Sequence, residues 1–432
     1  MTVFLLLLIF AVFAVFMFTR SVPAILALPG MAIVTAVLVK TPFTQILNEI
    51  IGGGAAKLAP VYVAVFAGAM MGRVMMQTGI AEEIIKRAAE FGGDKPMVVA
   101  GVLMIVTAVL FTTLQGLGAI ITVGSLVLPI MMSLGLPRRL AGSLFLLAFG
   151  TGFIFNPVLI TLYRSLLRTD GNSPMPDGFG RFALGLLAIM IVAVMIHTVA
   201  AAKRSGEILF WAVQTKADLI GRNEKNRVPL LALLTPLVPL ALYFGFSYRG
   251  LKLDFVPAFI IGSLFAVLLV TPRKAIKVLS SAIVRGVEDG APAAILMMGI
   301  GMLLNALSLP GVRAALEPLI KSLPLSSPVF FVLFFGLLSP LALYRGPLNL
   351  FGVGIGIYTI MFAAGVLPPL ALLAAIMSVV QVQNVCDPTN THNVWIANFA
   401  GLRVEELTKS TLPTMMLVCL AGLLLGAWMF MR

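Results

Sequence analysis

The sequence predicts an all-α polytopic membrane protein. It would be two inverted repeats, each of five transmembrane helices plus a re-entrant hairpin and a broken helix. Three observations carry this. Of 432 residues, 60% are hydrophobic and only 11% charged, too little charge to cover a water-facing surface of this size. The long apolar runs suffice to cross a hydrocarbon core as helices, and the period-2 alternation of a β-barrel is absent. The chain also repeats at a shift of about 230 residues. Val22-Pro23-Ala24 recurs as Val256-Pro257-Ala258, Thr41-Pro42 as Thr271-Pro272, and Ala59-Pro60 as Ala291-Pro292. Gly79, Gly116, Gly135 and Pro157 recur as Gly311, Gly346, Gly365 and Pro388. A duplicated membrane unit is the sequence mark of a secondary transporter.

The first repeat, residues 1–202, has expected spans at Val3–Thr19, Val22–Val39 and Pro60–Thr78. Val3–Thr19 lacks a basic leader and a small-residue cleavage site, so it reads as a retained span. Ile80–Phe91 places apolar residues at 80, 81, 84, 85, 88 and 91, opposite Glu82, Glu83 and Lys86. Such a stripe suits an arm helix lying in the interface. A hairpin over 96–134 then turns at a polar, Gly-rich tip, Thr112–Gly118. A broken helix over 139–160 and a span at Arg181–Ala202 complete the unit. A charged cytoplasmic linker, 203–227, joins it to the second repeat, 228–432. That copy has spans at Pro229–Phe246, Phe255–Thr271 and Ala291–Leu309, and an arm at Val312–Leu323. A hairpin over 328–364 with its tip at Tyr344–Asn349, a broken helix over 368–395 and a span at Leu412–Met431 follow.

A hairpin returns to its starting side, so each copy crosses the membrane five times. Five is odd, and the second copy must therefore be inverted relative to the first. Of the 30 Lys and Arg residues, 18 fall on the side opposite the N-terminus and 10 on the N-terminal side, with Arg73 and Arg345 inside apolar segments. The richer side is cytoplasmic by the positive-inside rule, which puts both termini outside a bacterial or archaeal inner membrane. The same rule accounts for the net charge of +13. No aromatic-interleaved basic patch points to nucleic acid. Cys386 and Cys419 both sit in apolar context, so a disulfide framework is not expected.

Non-helical backbone at membrane depth is tolerated only where protein buries it or water lines it. Four stretches qualify: the two tips and the interruptions Gly150–Pro157 and Gln383–Asn393, at matching positions in the copies. Of 17 acidic residues, only Asp387 falls in such a break, and a carboxylate there is costly unless paired, protonated or coordinating a cation. Its alternative role is to cap the next helix, since Asp-Pro-Thr is a good helix start. His392 shares the break and suits proton relay, or else is an interfacial histidine. His197, mid-span, reads as a hydrogen-bonded packing residue. Arg345 suits a substrate carboxylate bidentately, or else snorkels or pairs with Asp387. Candidate substrate-binding residues are Thr112, Thr113, Gln115, Gly116, Asn156, Arg345, Gly346, Asn349, Asn384, Thr389, Asn390 and Thr391. Candidate ion-coupling residues are Asp387, His392, Thr151 and Asn393. Each neutral side chain alone more often satisfies broken backbone; as a set they favour a polar, oxygen-bearing ligand. Arg73 reads as interhelical or snorkelling, and Tyr163-Arg164 as an outer anion funnel.

The order of span, span, span, arm, hairpin, broken helix and span, duplicated and inverted, resembles the ion transporter superfamily. That group includes divalent-anion/sodium symporters, gluconate and citrate permeases, and relatives of sodium/proton antiporters. Gly68–Lys95 (GAMMGRVMMQTGIAEEIIKRAAEFGGDK) is similar to the segment gluconate-type permeases carry before their first hairpin. Asn384–Leu402 (NVCDPTNTHNVWIANFAGL) is similar to their second broken helix. The Ser-Asn-Thr hairpin signature of the divalent-anion symporters is absent; the tips read TTLQG and YRGPLN. The resemblance implies a homodimer and an elevator motion. The expected function is ion-coupled transport of a small organic anion, a carboxylate, with proton or sodium as coupling ion and the lipid bilayer and substrate as partners. A cation/proton antiporter using Asp387 is the nearest alternative, and a channel is a further one. An intramembrane enzyme is disfavoured: there is no H-E-x-x-H or G-x-S-x-G motif, and two histidines with two cysteines do not make the usual zinc sets. No cofactor is expected beyond the coupling ion, with sodium as the possible metal.

Overall fold

The computed structural model describes residues 2–19, 21–91, 96–167, 175–204, 228–249, 251 and 253–432. Nearly all of the expected linker, 205–227, lies outside the described residues. So do Arg20, Lys95, Arg168 and Lys252 of the charge count.

Among the described residues every regular element is helical. Two apolar helices, α1 (Thr2–Phe18) and α2 (Ala24–Leu38), lead into α3, which runs unbroken over Phe43–Gln77 and winds as a π-helix across Ile46–Gly52. The arm helix α4 covers Ile80–Phe91. Its buried residues are Ile80, Ala81, Ile85, Ala88 and Ala89, while Glu82–Lys86 and Glu83–Arg87 ion pairs line the other face. The first hairpin is α5 (Pro96–Phe111) and α6 (Gly116–Ser133). Helices α7 (Arg138–Phe153) and α8 (Pro157–Leu167) meet at a 51° bend, and α9 spans Phe179–Arg204.

A 3₁₀ stretch, Leu230–Leu237, precedes α10 (Val238–Tyr248), followed by α11 (Phe255–Val270) and α12 (Ala275–Leu307). The second arm is α13 (Pro310–Lys321). The second hairpin descends through α14 (Pro328–Leu337) and a 3₁₀ stretch, Ser339–Arg345, and returns as α15 (Gly354–Ala364). Helices α16 (Pro369–Cys386) and α17 (Thr391–Ala400) flank the second break, and α18 (Val404–Phe430) ends the chain. Among the described residues, seven helices are long and apolar enough to cross a membrane, or eight if the bent α7–α8 pair counts as one span.

Four expectations need correction. The third span of each copy is longer than its apolar run: α3 begins at Phe43 and α12 at Ala275 rather than near residues 60 and 291. At about 1.5 Å per residue the 33-residue α12 is about 50 Å long, against a core of about 30 Å. Its first turns accordingly carry exposed Lys277 and Arg285. The breaks are shorter than expected, because helix continues to Phe153 and to Cys386 and resumes at Pro157 and at Thr391. The second hairpin's return arm starts only at Gly354, leaving an irregular stretch after Arg345. Finally, Arg164 is no outer funnel. It is buried, its Nη2 donates to the Tyr243 hydroxyl at 2.5 Å, and its guanidinium lies over that ring at 5.3 Å.

The centre of the molecule is the antiparallel crossing of α3 and α12. Gly54 packs on Met302, and a Cβ on Gly301 would lie 2.1 Å from the Gly54 carbonyl oxygen. At the other end Gly286 packs on the backbone of Met70. Gly286 lies 232 positions after Gly54, and Met302 lies 232 positions after Met70, so one contact is made twice by corresponding residues. Small residues give membrane helices their closest approach, since lipid supplies no hydrophobic drive between them. In the other half of the molecule α16 is buried on all sides from Ala371 to Cys386, against α18 and α7.

Replacing Gly301 with Ala therefore forces the two backbones apart. The expected cost is about 1–3 kcal/mol, seen as a lower melting temperature in detergent micelles. Gly101→Ala, with nothing within 4 Å of the new methyl, should hold or raise it. Equal melting temperatures for the two variants would contradict the crossing.

Candidate functional site

The two hairpin tips and the two breaks converge on one cavity of about 180 Å³. Gln115 and Gly116 reach it from the first tip, and Arg345 and Phe351 from the second. Phe149, Phe153, Val158 and Leu159 come from around the first break. Asn384, Asn390, Thr391 and His392 come from around the second. Val65 of α3 and Ala293, Leu296 and Met297 of α12 complete the wall. Arg345 is the one cation in this lining.

Asp387 does not face the cavity; it is fully buried behind it. Its Oδ1 accepts from the Tyr344 and Thr389 backbone N–H groups, each at 2.9 Å, and from the Thr389 hydroxyl at 2.7 Å. Its Oδ2 accepts from Asn349 Nδ2 at 2.9 Å. Four donors converge on one carboxylate and occupy both of its oxygens. The bond to Tyr344 matters most, because Tyr344 and Arg345 both adopt left-handed backbone, φ 55° and 58°. Each such residue costs roughly 1–2 kcal/mol without a glycine, and charge-assisted bonds of about 1.5–3 kcal/mol offset that cost. Asp387 thus pins the second tip to the second break. It does not cap α17, whose N-cap position is Asn390.

The matching position in the first copy does the same with neutral chemistry. Asn156 Nδ2 donates to the Phe111 carbonyl at 3.3 Å, tying the first break to the first hairpin. Its Oδ1 accepts from Val158 N at 3.0 Å and caps α8.

Several candidates are committed to the backbone. The hydroxyls of Thr112, Thr113 and Thr151 bond back to Val109, Leu110 and Leu147 carbonyls, and Thr151 lies within α7 rather than in the break. Asn349 Nδ2 also donates to the Ala342 carbonyl at 2.6 Å, and its Oδ1 accepts from Phe351 N. Asn390 Nδ2 donates to the Gln383 carbonyl, and Asn393 Nδ2 to the Val385 and Asp387 carbonyls. Gly346 allows a close approach: a Cβ would lie 2.3 Å from the Leu341 carbonyl oxygen.

Three side chains keep donors for a ligand. Gln115 Nε2 and Asn384 Nδ2 are buried without a hydrogen-bond partner, and both residues line the cavity. Among the described residues, the one side-chain hydrogen bond of Arg345 is a long one, Nη1 to the Phe351 carbonyl at 3.5 Å. No ion pair within 4.0 Å joins Arg345 to Asp387 among the described residues. His392 Nε2 lies 2.8 Å from the Asn384 carbonyl oxygen, with its ring tilted by 43° against Phe149 at 4.6 Å between centroids. A carbonyl only accepts, so Nε2 carries hydrogen and Nδ1 is left as the acceptor in the neutral ring. His197, by contrast, bonds Thr414 Oγ1 at 2.8 Å in the role expected of it.

Sequence reasoning missed the aromatic wall and Gln383, whose Oε1 accepts from Leu350 N at 2.6 Å. Phe149 and Phe153 stand one turn apart, a spacing that reads equally well as ordinary core. It also missed a second, part-buried carboxylate. Asp289 lies within α12 and takes a two-point contact from Arg73, Nε to Oδ2 at 2.5 Å and Nη2 to Oδ1 at 2.6 Å. The pair sits under the first tip: a Cβ on Gly118 would lie 2.6 Å from Asp289 Oδ2 and 2.9 Å from Arg73 Nη2.

No protein-family model matches the chain, and no curated protein matches it significantly. Solved structures do. The YdaH transporter of Alcanivorax borkumensis, described as having an unusual topology, superposes with a TM-score of 0.58 at 15% identity. The match covers 89% of this chain and 87% of that one. MtrF of Neisseria gonorrhoeae, described within a class of antimetabolite efflux pumps, gives 0.51 at 12% identity, covering 89% and 84%. The chain is thus a multi-pass helical membrane protein with the fold of membrane transporters.

Asp387→Asn replaces an acceptor with an amide that presents hydrogens to donors. The tip should loosen, with a loss of at least about 2 kcal/mol in unfolding free energy, seen as a lower melting temperature. An unchanged melting temperature would contradict the anchoring of the second tip by Asp387.

Proposed function

We propose that the chain is an ion-coupled secondary active transporter of a small organic anion, a carboxylate, working by an elevator-type alternating-access motion. The observation that carries this reading is the cavity itself. Four interrupted stretches of backbone meet there, one cation lines it, and two buried amide groups point unpartnered donors at it. Arg345 would take the carboxylate, with Gln115 and Asn384 donating to its oxygens. A volume of about 180 Å³ lies below the ~300 Å³ at which drug-sized pockets begin, which favours a small ligand. A single cation among apolar walls favours a monoanion.

The inverted-repeat reading draws support from the doubled α3–α12 contact. Equivalent residues meeting in an antiparallel crossing is what a two-fold axis across the helices produces. With it go membership of the ion transporter superfamily, a homodimer, an inner-membrane location and outward-facing termini. The coupling ion is a proton or sodium. Asp387 does not line the cavity and has both oxygens engaged by donors, which weighs against the cation/proton antiporter that would use it as the exchanging group. Among the lining groups, Nδ1 of His392 is the one open to a coupling proton.

Purified protein in liposomes should take up a labelled small monocarboxylate under an imposed proton or sodium gradient and show trans-stimulated counterflow, which a channel lacks. Arg345→Gln should reduce uptake at least about tenfold, with Arg345→Lys recovering little because an ammonium lacks the bidentate fork. Full uptake by Arg345→Gln would sink the assignment. Stimulation by an oppositely directed gradient would mean export, the direction described for MtrF.

A further inference from the structure

Two polar pairs bridge α3 and α12, and they are images of one another. Arg73 holds Asp289, and Lys57 Nζ donates to Asn305 Oδ1 at 2.6 Å. Asp289 lies 232 positions after Lys57, and Asn305 lies 232 positions after Arg73. The same offset relates Gly54 to Gly286 and Met70 to Met302 in the crossing between them. The hairpin tips do not share this symmetry. Gly116 and Gly118 of the first tip sit directly on Asp289 and Arg73: a Cβ would lie 3.3 Å from Asp289 at Gly116 and 2.6 Å from the Asp289 carboxylate at Gly118. The second tip rests elsewhere: the Tyr344 ring packs on Phe18 at 4.7 Å, its N–H binds Asp387, and Gly346 abuts the Leu341 carbonyl.

A protein with two equivalent docking points, one carrying its hairpin tip, has a second arrangement available at similar cost. We propose that Arg73 and Asp289 are positioning residues that seat the first hairpin tip in this conformation, and that Lys57 and Asn305 seat the second tip in the opposite one. This rests on the alternating-access reading above. The Arg73–Asp289 pair stays on the scaffold, and the two glycines of the first tip pass over it. Charge is useful at that pair because the tip presents open backbone: the carboxylate and guanidinium give it a polar seat within an apolar crossing. The other seat, built from Lys57 and the Asn305 amide, is chemically different, so the two conformations respond differently to substitution.

Oxidative cross-linking tests this without knowing the substrate. An Ala56→Cys/Pro347→Cys double variant, which keeps Lys57 and Asn305 and places one cysteine on the exposed position beside Lys57, should, when reconstituted in liposomes, cross-link slowly with copper phenanthroline, by virtue of the opposite conformation. Adding Asp289→Asn should speed cross-linking about tenfold, because the first tip loses its seat. Gly118→Ala, which pushes the tip off the pair, should act in the same direction if Asp289→Asn folds poorly. The charge-exchanged pair Arg73→Asp/Asp289→Arg should slow it again, which a merely structural loss would not do. An absent cross-link, or a rate indifferent to Asp289→Asn and Gly118→Ala, overturns the proposal. Cross-linking that follows this pattern in a protein that moves no carboxylate would leave the seats standing and fail the transport reading instead.

Discussion

Every other feature of this protein answers to one constraint: open backbone inside an apolar environment must find its hydrogen bonds within the protein. The chain opens its helices at four places at membrane depth and closes the account by setting each break against a hairpin. Asn156 reaches the Phe111 carbonyl, and Asp387 takes the Tyr344 N–H. Neither hairpin is self-sufficient. The second carries two consecutive left-handed residues that Asp387, Asn349 and Gln383 hold in place from outside the helix ends. The cavity is what remains between the four stretches once their backbones are satisfied.

That geometry explains a division of labour among the polar residues. Those nearest the breaks, Asp387, Asn349, Asn390 and Asn393, spend their hydrogen bonds on backbone, and the residues one turn away keep theirs. Gln115, Asn384 and Arg345 therefore offer donors, while Phe149, Phe153 and Phe351 supply the apolar wall. The charge in the second break anchors the hairpin tip, and the charge in the cavity lining comes from the tip that it holds.

The scaffold follows a second rule, close backbone approach through glycine. Gly54, Gly286 and Gly301 let α3 and α12 cross with no side chain between them. That crossing places Arg73 against Asp289 and Lys57 against Asn305, so the polar pairs follow from the packing. Neither pair was legible beforehand, because its members are 216 and 248 positions apart and the apolar run around residue 291 hid how far α12 extends toward its N-terminus. Tyr163-Arg164 misled for a related reason: a basic residue at a helix end reads as exposed until Tyr243 is known to cover it.

Composition and periodicity by themselves determined that the chain crosses a membrane as helices, where the backbone breaks fall, and that the arm over Ile80–Phe91 is amphipathic. These depend on local apolar length and on Gly, Pro and polar interruptions, all of which act within a few residues. Tertiary structure alone decided which polar groups are satisfied and which remain for a ligand. Hydrogen bonding at depth is settled between segments distant in sequence, and one carboxylate becomes an anchor or a reactive group according to how many donors its neighbours bring to it.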